Sequence, residues 1–294
     1  MSLWMRDPFA IAFGRMLLRG IGQVYLLPSA RAGAVLWVAV AWQSWALAGA
    51  CLLGALAGTV LGISMGDAAG SRAGLNGYNG ALTGLGILLV LPSGPLAWSL
   101  VTPLACLASW MAWALRRWCA WPPYTAPFVL VIWLLMAATT HLGLPQAAAA
   151  GAADPGGSGS EILGLLRGVG QVMFLDDPWA GALCLLGLAL GAPRAALSAV
   201  LASGLCLLVA MLAQFPVDAS LLGLYGYNAV LTAEALRAIR PGRWGWPCLG
   251  VVLSLGLMRG FQWLALPPLT APFLLATWLV RQAALRQPSQ ARTA

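Results

Sequence analysis

The chain has 294 residues, of which 61% are apolar and only 24 are charged, 16 basic and 8 acidic. Soluble domains run at roughly 45–50% apolar and about 25% charged, so a water-facing surface of this size is excluded and the bilayer is the expected solvent. Every basic residue is Arg and none is Lys, which excludes a phosphate-binding P-loop and a Schiff-base site.

A segment at 8–27 opens the chain and is interrupted by Arg15 and Arg19, too polar to cross a membrane alone. No small-residue cleavage site follows it, so it does not read as a signal peptide. Apolar spans are then expected at 34–49, 50–65, 76–92, 95–115 and 122–143. An Ala- and Gly-rich stretch over 146–160 reads as a flexible linker. A second short segment at 161–175 precedes spans at 180–192, 194–213, 223–240, 244–262 and 268–287. The expected class is an all-α integral membrane protein with ten transmembrane helices. Residues 1–145 form one five-helix repeat, 146–160 an extracytoplasmic linker and 161–294 a second repeat, each with a half-spanning helix.

Ten spans put both termini on one face, which collects 14 of the 16 arginines and leaves only Arg167 and Arg259 opposite. By the positive-inside rule both termini are cytoplasmic, in a multi-pass protein of the cell inner membrane. The single spacing of the arginines favours this membrane reading of the +8 charge over nucleic-acid binding. One histidine, His141, and six scattered cysteines provide no zinc spacing, so no metal and no cofactor is expected.

The sequence is written twice. Arg19-Gly-Ile-Gly-Gln23-Val returns as Arg167-Gly-Val-Gly-Gln171-Val, an offset of 171 − 23 = 148. Gly74-Leu-Asn-Gly-Tyr-Asn79 returns as Gly223-Leu-Tyr-Gly-Tyr-Asn228, an offset of 228 − 79 = 149. Pro122-Pro-Tyr-Thr125-Ala-Pro-Phe returns as Pro267-Pro-Leu-Thr270-Ala-Pro-Phe, an offset of 270 − 125 = 145. With five spans in each half, the second copy must enter the membrane upside down, as an inverted repeat.

These blocks contain most of the polar side chains at membrane depth, including all three asparagines, Asn76, Asn79 and Asn228. Flanking glycines suit close backbone approach or a broken helix, whose free backbone groups can serve as solute ligands. The segments ending in Gln23 and Gln171 look like such half-spanning helices. Tyr78 with Leu82, and Tyr227 with Leu231, are four residues apart and so share a helix face. Those faces either pack or flank a flat slot, and Thr125 and Thr270 either bond their own helices or line the same path. A lining of amides, hydroxyls and rings without fixed charge suits a small, planar, neutral solute with N–H donors, and an ion would lose its hydration there uncompensated.

These blocks resemble the urea transporter family, the urea channels of bacteria and vertebrates. The likeness rests on Leu-Asn-Gly-Tyr-Asn-Gly at 75–80 with Leu82 and Gly84, on Gly-Gln-Val, and on Pro-Pro-x-Thr-Ala-Pro-Phe, and it covers nearly the whole chain. The resemblance implies a homotrimer with one pore per protomer and passive passage of urea, with no enzymatic activity. It places Tyr78, Leu82, Tyr227 and Leu231 at the slot, Thr125 and Thr270 at its centre, and Gln23 and Gln171 on the half-spanning helices. Three residues past the glutamines the family usually carries Phe; Phe174 fits and Leu26 does not, so one slot is expected to be wider.

The alternative is a proton- or ion-coupled secondary transporter, for which Glu234 is the only ionisable candidate at depth, and Arg237 at i+3 is positioned to pair with it. The absence of any Asn-Pro dipeptide disfavours an aquaporin. Gly54, Gly58, Gly62 and Gly66 form a ladder expected to pack against another helix, within the protomer or between subunits.

Overall fold

The computed structural model describes residues 9–147, 160–239 and 243–286. Most of the expected linker, residues 148–159, lies outside them, as do Arg6, Asp154, Arg240 and Arg292. The described chain is helical and contains no strand.

The first half runs α1 (Phe9–Gly22), α2 (Ala30–Gln43), α3 (Trp45–Ser64), α4 (Ala68–Arg72), α5 (Tyr78–Val90), α6 (Pro95–Trp118) and α7 (Ala126–His141). The second half repeats the order as α8 (Ser160–Gly170), α9 (Pro178–Gly191), α10 (Pro193–Leu212), α11 (Val217–Leu221), α12 (Gly226–Ile239), α13 (Gly245–Trp263) and α14 (Ala271–Arg286). By length and composition α3, α6 and α10 can each cross a membrane, or five spans result if the two bent pairs α1–α2 and α8–α9 each count as one. Large apolar side chains such as Leu134, Leu186, Leu197, Leu201 and Leu208 lie exposed on the outside, which suits lipid rather than water. This is the build of an all-helical membrane protein.

The short helices α1 and α8 end abruptly. Each finishes in a 3-10 turn, Gln23–Tyr25 and Gln171–Met173, after which the chain bends by 74° into α2 and by 71° into α9. Leu26 and Phe174 stop the turns in the left-handed region, at φ 58° and 63°. For residues with a Cβ that conformation costs about 1–3 kcal/mol and persists only where the surroundings enforce it. Ser29 and Asp177 then cap the new helices through the amides of Ala32 and Ala180.

The expected break between spans 34–49 and 50–65 falls elsewhere, at Ser44, which is extended and caps α3 through the Leu47 amide. Its counterpart is Ala192, also extended and 192 − 44 = 148 residues later. There Pro193 announces the break, whereas the apolar run around Ser44 contains no Pro or Gly to mark it.

Lipid gives apolar surfaces little reason to associate, so close fit must hold such helices together. A Cβ added at Gly54 would overlap the Gly80 carbonyl, and one at Gly84 the Ala50 carbonyl. Gly58 and Gly62 are similarly closed by Asn76 and Ser109. Gly54, Gly58 and Gly62 therefore seat α3 on the α5 segment and α6 within one protomer. Gly66 instead takes the left-handed position after α3, at φ +77°.

Candidate functional site

Each half builds the same clamp. Tyr78 is the first residue of α5, and its hydroxyl donates to the Tyr124 carbonyl at 2.6 Å. Asn79 donates to the same carbonyl at 3.2 Å, while its own oxygen accepts the Phe128 amide at 3.2 Å. In α12 the Tyr227 hydroxyl donates to the Leu269 carbonyl at 2.7 Å. Asn228 donates there at 3.3 Å and accepts the Phe273 amide at 3.0 Å. The shared acceptors belong to a strained pair, Tyr124 and Leu269, both at φ 43°. That corner turns the carbonyl out of the path of the following helix and towards the ring hydroxyl.

Asn79 and Asn228 thus lock the Pro-Pro loops onto α5 and α12. Asn76 does something else: it joins Arg116 and Asp67 in a network of one half only, and Tyr225 occupies its place in the other. Leu82 and Leu231 lie one turn beyond the tyrosines and are buried with them. Thr83 and Thr232 turn inward to the Asn79 and Asn228 carbonyls, each at 2.7 Å.

Thr125 and Thr270 meet directly. Their Oγ1 atoms are 2.7 Å apart, and both residues are buried. The hydroxyls bond each other rather than their own helices, and the pair joins the two halves. Two further bonds cross reciprocally. Trp133 Nε1 donates to the Pro267 carbonyl and Trp278 Nε1 to the Pro122 carbonyl, each at 2.9 Å. The offset 278 − 133 = 145 is that of the threonines, a signal present in the sequence that the polar blocks overshadow. Tyr25 adds a crossing bond to the Val169 carbonyl at 2.6 Å, without a twin because Met173 holds the equivalent place.

Gln23 Nε2 donates to the Ala73 carbonyl at 2.9 Å and Gln171 Nε2 to the Leu222 carbonyl at 3.1 Å. Anchoring the nitrogen leaves each amide oxygen as the acceptor. Phe174 lies beside Phe128, ring centres 5.9 Å apart. The corresponding ring in the other half, Phe273, packs on Tyr124 at 5.3 Å, and Leu26 provides no ring at the corner. A cavity of about 540 Å³ opens at the first-half end, with Gln23, Leu26 and Tyr78 in its wall beside Arg116, Tyr124 and Arg281. The structure therefore brings Gln23, Leu26 and Tyr78 together around one vestibule and joins Thr125 to Thr270.

Behind that vestibule, Arg116 holds Asp67 at 3.1 Å and reaches the Leu75 carbonyl at 2.9 Å. Partial burial raises the Asp67 carboxyl, but hydrogen bonds from the Gly70 amide, Asn76 and Arg116, with the Arg116 charge, outweigh it and hold the group below the usual carboxylate range. Glu234 is 7% exposed and pairs with Arg237 at 2.8 Å on the same helix, as the i+3 spacing anticipates. His141 is exposed at the end of α7.

The family description "Urea transporter" matches residues 15–284. The chain belongs to the urea transporter family. It is therefore a member of a family of transporters, not of enzymes. Among its relatives, urea transporter 1 of Ovis aries is 26% identical over 97% of this chain and 81% of its own length. Urea transporter 1 of Mus musculus is 28% identical over 79% of this chain and 65% of its own length. The matched region takes in both copies of every duplicated block, so the clamp and the threonine pair fall within the part shared with the family.

Proposed function

We propose that this chain is a passive urea channel of the cell inner membrane, with the path running between its two halves. The observation that carries the reading is the duplicated clamp, joined at the Thr125–Thr270 hydrogen bond and built in both halves from uncharged polar groups. Urea is planar, neutral, rich in N–H donors and small enough to pass edgewise between a ring and a leucine. In this reading Leu26, Tyr78 and Leu82 flank one slot, Phe174, Tyr227 and Leu231 the other, and Gln23 and Gln171 offer amide oxygens at the two approaches. Desolvation of urea is offset by those oxygens and by helix-end carbonyls, whereas a cation finds no counter-charge.

Ten membrane passes in two inverted repeats, cytoplasmic termini and a trimer of independent pores complete the proposal, the first two from the arginine distribution and the repeats, the last from the family resemblance. Alternating access would require one repeat to rock against the other. The reciprocal tryptophan bonds and the threonine pair oppose that motion, and Glu234, the buried acid among the described residues, is already paired with Arg237. These observations favour a fixed path. Stopped-flow urea flux in proteoliposomes tests it: fast flux, unsaturated at low millimolar urea and indifferent to a proton gradient, is expected. Permeability no higher than that of protein-free vesicles would overturn the proposal.

A further inference from the structure

The vestibule that holds Gln23 and Tyr78 has an electrical feature that a neutral solute does not require. Two guanidinium groups line it, and they differ. Arg116 is satisfied by Asp67, Asn76 and the Leu75 carbonyl. Arg281, projecting from α14 of the other half, makes no hydrogen bond or ion pair among the described residues and is half-buried. It shares the cavity wall with Tyr124. The acid that pairs with Arg116, Asp67, is already committed to it. A partly desolvated guanidinium without a counter-ion is unfavourable, and a bound anion relieves it. The loop beside it adds donors: the backbone amides of Ala120 and Trp121, in the vestibule wall, find no acceptor among the described residues.

We propose that this vestibule binds a small oxyanion of the phosphate class, held by Arg281 and the Ala120–Trp121 amides, and that the bound anion obstructs entry to the slot. The planar guanidinium fork matches two oxygens of such an anion, which a spherical halide does not offer. The cavity, at about 540 Å³, admits the anion with its hydration and opens next to the Tyr78 ring. The binding site stands on its own geometry; only the obstruction rests on the channel reading.

Two sources supply this chemistry, free phosphate and a lipid headgroup, and the measurement separates them. Calorimetric titration of inorganic phosphate into the detergent-solubilised protein, at constant ionic strength, should give saturable binding that chloride does not. Arg281→Gln should weaken it about tenfold or more, equivalent to about 1.4 kcal/mol, and Arg281→Lys, which keeps the charge, by less. In phosphatidylcholine vesicles, phosphate should lower urea flux in the parent, and the ratio of flux with and without phosphate should return towards one in Arg281→Gln. If the headgroup is the natural occupant, phosphatidylglycerol should lower the flux by itself and leave added phosphate without effect. Absence of saturable phosphate binding, together with indifference to phosphatidylglycerol, would overturn the site. Binding with unchanged flux ratios would overturn the obstruction, and absent urea flux would refute the channel while calorimetry still decides the site.

Discussion

Thr125 and Thr270 share a single hydrogen bond across 145 residues of chain, and neither hydroxyl has another partner among the described residues. Removing one hydroxyl leaves the other buried and unpaired, at about 1–3 kcal/mol, whereas removing both leaves nothing unsatisfied. Thr125→Val and Thr270→Val should therefore each destabilise by about that amount, and the double variant by no more than either alone. Thermal unfolding of the four proteins closes this cycle, and additive losses would show that the two do not act as a pair. Urea flux should fall in all three variants if the hydroxyls line the path.

The corner residues predict a difference in selectivity. Leu26→Phe should narrow the first slot and lower the dimethylurea-to-urea flux ratio. Phe174→Leu should remove the ring contact with Phe128 and raise it. Flux ratios unmoved by both changes would remove Leu26 and Phe174 from the proposed slot.

The tryptophan bonds predict matched losses. Trp133→Phe and Trp278→Phe each delete one neutral hydrogen bond of 2.9 Å and keep most of the ring, so each should lower stability by about 1 kcal/mol. Markedly unequal shifts in the unfolding midpoint would show that the halves are not equivalent at this contact.

Asp67 predicts an acid limb. Its carboxyl titrates below the unfolded value, so its stabilisation is present in full above the ordinary carboxylate pKa and is lost as pH falls through the lower folded value. Because the pair with Arg116 is partly exposed, the contribution is of order 1 kcal/mol. Asp67→Asn should lower the unfolding midpoint near neutrality and flatten its fall between about pH 5 and 3. An identical acid limb in both proteins would show that Asp67 contributes nothing to it.

Much of this was legible in the chain. The repeat offsets located the glutamines, tyrosines, asparagines and threonines that the fold gathers, because duplicated polar residues are conspicuous in an apolar sequence. The short segments ending in Gln23 and Gln171 read as broken helices, while the bends of 74° and 71° that follow them are visible only in the structure. Three further things were not legible. The break at Ser44 lacks Pro or Gly, and the two polar residues there, Gln43 and Ser44, are a weak signal within a long apolar stretch. The bond between the two threonines depends on how the halves face each other, which spacing along the chain does not encode. The role of Asn76 was hidden because its partners, Asp67 and Arg116, are 9 and 40 residues away and only one copy of the repeat contains them.

The exchanged tryptophans carry a consequence for folding. Each half supplies a donor whose acceptor belongs to the other, so neither has its complete set of partners when synthesised alone. The first half, emerging earlier, must wait with an open Pro122 carbonyl and an idle Trp133 indole until its sibling arrives. The two halves therefore complete each other's hydrogen bonding only when both are present. A chain cut in the connecting stretch should yield two fragments that recover urea transport only when made together.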